Sequence, residues 1–165
     1  MADSIRFRGL EKLQTHLKAY EKNLPNKLER FINELCEQGV EIMKQNITTY
    51  GAIQFGDLFD HCDYAVYQKG KRAVIFNDSD HCAFVEFGTG VVGGYNPHPN
   101  LPVPWAYGSG ATIDEETGTW YFVNKSTGVS GYTQGMPARP YMWNTSKELR
   151  NKLTQIAKEV FAKND

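Results

Sequence analysis

Apolar residues fall into two periods along the chain. From Gly9 onward Leu10, Leu13, Leu17, Leu24, Leu28, Phe31, Leu35 and Ile42 recur at three, four or seven residues, which is one face of an α-helix. Pro25 interrupts this face, and Asn23 offers a cap for a helix starting there, since proline is tolerated in a first turn. The spacing predicts a helix over about 9–22 and a longer one over about 25–47, with Gly39 inside the second. Ahead of them, Ser4 to Phe7 alternate polar and apolar, as a short strand does.

After a loop from Thr48 to Asp57 the period drops to two. Asp63 to Gln68 and Ala73 to Asn77 read as strands, joined by a short turn at KGKR that contains Gly70. Cys82 to Phe87 reads as a third strand, giving an antiparallel meander. Gly88 to Gly110 is rich in Gly and Pro and predicts no regular structure. A hairpin is expected next, with strands at Ala111 to Ile113 and Thr119 to Val123 around a DEETG turn. The following residues read as loop until a strand or turn near Arg139 to Met142. A last helix, capped by Asn144 or Thr145, runs to about Ala162. Its buried face is Leu149, Leu153, Ile156 and Val160, and Glu148–Lys152 and Glu159–Lys163 are acid-to-base pairs four apart. Helices, then strands, then one helix indicate an α+β fold: a small antiparallel sheet packed by N-terminal helices and a C-terminal helix. Residues 1–165 form a single domain with an insertion over about 91–134.

Composition narrows the class. Hydrophobic residues at 41% and charged residues at 22% fit a packed domain and not a disordered tail. The formal net charge is -1 and no basic stripe is present, which argues against gripping a nucleic acid backbone or reading its sequence. The three cysteines, Cys36, Cys62 and Cys82, lack CxxC spacing and an even count, so no disulfide framework is expected. MADSIRFRGL has no apolar signal core, and no apolar run approaches membrane-helix length, so a reducing cytoplasm and no membrane partner are expected.

Four motifs could carry chemistry. Gly88-Thr89-Gly90-Val91-Val92-Gly93 matches GxGxxG, but GYNPHPNLPVP follows where a phosphate-binding helix is required. His61-Cys62 and His81-Cys82 are zinc-ligand types, yet adjacent strand residues point to opposite faces. Neither pair has a third group to orient a base, and Cys36 belongs to a helix core. The acids Asp114, Glu115 and Glu116 sit in a turn and are solvated. No catalytic, cofactor or metal residue is therefore assigned.

Two segments remain: AFVEFGTG (Ala83 to Gly90) and GMPARPYM (Gly135 to Met142). As a strand, the first puts Phe84 and Phe87 on opposite faces, with Val85 sharing the face of Phe87. Arg139 can pair with Glu86 inside the chain and pin the ends of the sheet, or reach a carboxylate on a neighbour. Both options stay open here.

A strand ending in VEFGT, a variable insertion, and a short Pro-rich element leading into a last helix resemble the gene-product-ten-like family of the lambdoid phage HK-ninety-seven. The resemblance runs from GLEKLQTHL (Gly9 to Leu17) through GDL (Gly56 to Leu58) to ARPYM and the last helix. It implies an α+β minor virion protein without enzymatic activity, acting in tail completion and head–tail joining. It also implies contacts with the connector or stopper, tail terminator and tail tube, in a homo-oligomeric ring at the head–tail junction or tail end. The family's T-G-x-L followed by a basic residue is replaced by Phe55-Gly56-Asp57-Leu58-Phe59, so no phosphate or lumen contact carries over there. Glu86, Phe87, Gly88, Thr89, Tyr95, Trp105, Tyr107, Arg139 and Tyr141 are the expected interface residues, with Tyr95, Trp105 and Tyr107 exposed on a mobile loop. Rival expectations are a tail terminator and, from another class, a small hydrolase or host-directed regulator.

Overall fold

The computed structural model describes residues 9–52, 56–102, 105–107, 112–123 and 128–162. The expected strand at Ser4 to Phe7 lies outside them, as does Lys163 of the Glu159–Lys163 pair.

Leu10–Thr49 form one 40-residue helix, α1, with Pro25 inside it. The expected break is absent, and Asn23 is a mid-helix residue and caps nothing. Pro25 removes one helix hydrogen bond and crowds the carbonyl four residues back, yet the helix continues through it. The apolar line continues past it through Leu24, Leu28 and Phe31. Gly39 is needed in mid-helix, because a Cβ there would run into Ile75 and come within 3.2 Å of Leu149 Cδ2. The expected loop from Thr48 to Asp57 overlaps the end of α1 and the first two residues of a short helix, α2 (Gly56–Asp60).

The hairpin forms as expected from β1 (Cys62–Tyr67) and β2 (Arg72–Asn77), antiparallel, with Tyr64 opposite Ile75. Gln68, Lys69 and Gly70 take positive φ in its turn. Among the described residues no third strand joins it: Cys82–Phe87 is a helix, α3. Val85 and Glu86 are adjacent and both buried, which a strand facing one core cannot do. In the helix Phe84 and Phe87 share a side, and both rings meet Trp105, at 6.2 and 5.0 Å between centroids.

A six-residue helix, α4 (Gly90–Tyr95), follows at once, so the Gly/Pro-rich stretch is regular at its start. The second hairpin pairs β3 (Trp120–Val123) with β4 (Ser130–Thr133), not with Thr112 and Ile113; Ala111 of that expected strand lies outside the described residues. DEETG is still an exposed turn, closed by Asp114 Oδ1 accepting from the amides of Glu116 (3.1 Å) and Thr117 (2.7 Å). Two residues, β5 (Gly135–Met136), bridge back to Thr89 and Gly90.

The last helix, α5 (Tyr141–Ala162), starts ahead of both expected caps. It packs antiparallel on α1: Asn46 Nδ2 donates to Thr145 Oγ1 (3.3 Å) and Glu148 Oε1 (3.1 Å) at one end. At the other, the rings of Phe31 and Phe161 lie 5.7 Å apart. Ile156 and Val160 are buried as expected, while Leu153 is exposed. Met43, Ile47, Ala52, Leu58, Cys62, Val85 and Tyr141 form the core, where α1, α2, β1, α3 and α5 meet. The fold is α+β.

Candidate functional site

AFVEFGTG and GMPARPYM come together as one joint. Pro140 stands before α5 and has no side-chain acceptor for the free amides of the first turn. Glu86, on α3, supplies one. Its Oε2 accepts from the Met142 amide (2.8 Å) and its Oε1 from the Trp143 amide (2.9 Å). A carboxylate here also meets the positive end of the α5 dipole.

The same Oε1 lies 3.0 Å from His98 Nε2. Nδ1 of His98 lies 2.9 Å from the Asn100 amide nitrogen and 2.8 Å from the Asn100 carbonyl oxygen, which holds the ring with Nε2 toward Glu86. Both side chains are buried. Phe87 and Trp143 stand edge-on to the imidazole, with centroids at 4.9 and 5.9 Å. Glu86 is therefore satisfied within the chain.

Backbone contacts seal the joint. The Arg139 amide donates to Val85 O (2.9 Å), the Met136 amide to Thr89 Oγ1 (3.2 Å) and the Ala138 amide to Asn96 O (3.2 Å). Gly88, at φ 77, leaves the space in which the Ala138 amide approaches.

Several expected interface residues thus have internal roles. Glu86 and Gly88 are buried, and Phe87 and Thr89 are half-buried within the joint. Tyr141 is 1% exposed and belongs to the core, where burial pushes its hydroxyl pKa far up. Among the described residues no ion pair joins Arg139 to Glu86, since His98 and two amides occupy the carboxylate. Trp105 and Tyr107 are half-buried, not exposed, and their indole N–H and hydroxyl are buried without a partner among the described residues. Tyr95 is 82% exposed, as expected. The GxGxxG glycines do open a helix, but α4 is six residues long and its glycines receive the Trp120 and Tyr107 rings.

Sequence reasoning missed His98, whose neighbours Pro97 and Pro99 signalled only loop. It also missed a polar cluster around the His-Cys pairs. His61 Nδ1 lies 2.7 Å from Asp78 and its Nε2 3.0 Å from Asp57, whose other oxygen is 3.8 Å from His81 Nε2. The Asp78 hydrogen bond above all, with the Asp57 charge, raises the His61 pKa. Among the described residues, no group of three or more His, Cys, Asp or Glu is arranged to hold a metal ion. Burial raises the thiol pKa of Cys36, Cys62 and Cys82, which lowers their reactivity as nucleophiles.

Beside the joint, the β3–β4 hairpin exposes apolar and aromatic side chains. Tyr121 and Tyr132 pair across β3 and β4 with centroids 5.4 Å apart, and Val123 and Val129 are also exposed. A groove of about 510 Å³ runs between α3 and this hairpin, lined by Phe84, Trp120, Phe122 and Met136 among others. Among the described residues, no helix is long and apolar enough to cross a membrane. The chain matches no protein-family model, no curated protein and no solved structure.

Proposed function

We propose that this chain is a non-enzymatic bacteriophage virion protein that completes the tail and joins it to the head. One observation carries the reading: the two segments that resemble the phage family, about fifty residues apart in sequence, form a single joint around Glu86. That joint uses its carboxylate and its imidazole internally. It fixes the start of α5 and leaves no carboxylate or imidazole in it directed at a substrate. The apolar hairpin and groove beside it suit burial against neighbouring subunits. The raised thiol pKa values weigh against a cysteine hydrolase.

On this reading the partners are neck and tail proteins, and the working form is a ring or a subunit docked on one. The test is a phage lacking this gene. Filled heads and normal-length tails that stay separate are expected. Overlong tails would favour a tail terminator instead, and joined infectious particles would overturn both.

A further inference from the structure

The amino-terminal part of α1 stands clear of the other described residues. The last turn of α5 meets α1 at Lys27 and Phe31, where Lys27 Nζ lies 3.4 Å from Phe161 O. Leu10 to Leu24 therefore project about 25 Å beyond the end of α5, at 1.5 Å per residue. Along this arm Leu10, Leu13, Leu17, Tyr20 and Leu24 alternate at spacings of three and four, the a and d positions of a heptad. Past Lys27 the apolar face broadens, as a helix lying on a globular body requires. With Leu28, these side chains are 37–57% exposed. Pro25 falls at a b position, turned away from the seam.

A lone helix this short is marginal in water, and an internal proline costs it roughly 3 kcal/mol more. From this geometry we infer that the arm pairs with the arm of a second copy of this chain, as an antiparallel two-stranded coiled coil.

α5 dictates the direction. It packs on the continuation of the seam at Phe31, so a parallel partner would have to run through it. An antiparallel partner instead continues the line of α5, its amino end meeting the carboxyl end of α5 with dipoles head to tail. In the register that matches a to d, Leu13 faces Leu24 and Leu17 faces Tyr20, each twice, while Leu10 falls opposite the buried Lys27 where the seam meets the body. The flanks set Gln14 beside Glu21 and His16 beside Asn23, with no like charges opposed. Six side chains, each with roughly half its surface free, offer on the order of 500 Å² a side, near the roughly 1,000 Å² total of a specific interface. This pairing holds with or without a place in a virion.

Sedimentation equilibrium of the full chain is the test, with Leu17→Glu beside it. The expected result is a reversible dimer whose Kd rises by roughly two orders of magnitude in Leu17→Glu, since two charges enter the seam. The variant should melt as a folded monomer, because residue 17 touches no core residue. A monomeric parent chain, or a dimer that Leu17→Glu leaves intact, would overturn the proposal. Spin labels on an encoded keto amino acid at position 12 or 18 then read the direction. Antiparallel arms place the two labels at 18 closer together than those at 12, and equal short distances at both would contradict it.

Discussion

Glu86 Oε1 and His98 Nε2 lie 3.0 Å apart, and each residue is at least nine-tenths buried. Around this pair a helix start, a proline-rich loop and α3 are held in one geometry. Replacing Glu86 by Ala strands His98 and frees two amides at once. The expected loss is about 2–4 kcal/mol of unfolding free energy, because buried donors left without an acceptor cost about 1–3 kcal/mol each. Glu86→Gln keeps an acceptor and should cost less, about 1–2 kcal/mol. Urea denaturation of both variants checks this, and a loss below about 1 kcal/mol in Glu86→Ala would remove the cap from the explanation.

Two glycines of positive φ, one in the joint and one ahead of β4, separate two costs. Gly135 has φ 98, and a Cβ on it would strike the Thr89 carbonyl. Gly128 has φ 71 but open space around it. Gly128→Ala should lose only the left-handed penalty, about 1 kcal/mol. Gly135→Ala adds a backbone collision and should lose roughly 3 kcal/mol or more. Equal melting temperatures for the two variants would show that the Thr89–Met136 bridge yields.

Much of the fold was legible locally. Strict alternation and a glycine turn gave β1 and β2, and 3.6-residue spacing gave α1 and α5. CAFVEF was misread because six apolar-rich residues are too few to tell a strand from a helix. The start of α5 was misplaced because its cap is Glu86, a contact 56 residues away. Pro25 was read as a boundary, since sequence shows the missing amide but not the continuous seam. The sequence offers Arg139 as a partner for a carboxylate, yet its structural contribution is its amide on Val85.

That last point yields a prediction for Arg139→Ala. With no ion pair to Glu86 to lose, its unfolding free energy should stay within about 1 kcal/mol of the parent chain. Under the proposed function the same variant should lower phage titre in complementation, because the side chain is free to meet a neighbouring carboxylate. Unfolding of the variant would return Arg139 to an internal role, and an unchanged titre would deny it a role in assembly.

His61 gives a pH dependence. Its folded pKa is raised above its ordinary 6.5, first by the Asp78 hydrogen bond and then by the Asp57 charge. A raised pKa means that its stabilising contribution is complete below the unfolded value and is lost as pH rises through the folded one. His61 is solvent-accessible, so the contribution is small. Proton NMR titration should place the His61 midpoint above the ordinary value in the parent chain and lower in Asp78→Asn. An unshifted midpoint in Asp78→Asn would show that Asp78 does not hold the imidazolium.

The central claim is the place of this chain in a virion, and gold-labelled antibody against it, viewed on purified particles by electron microscopy, tests that claim most directly. Label concentrated where tail meets head is the expected result. Label at the distal tail tip, or particles carrying none of this chain, would contradict it.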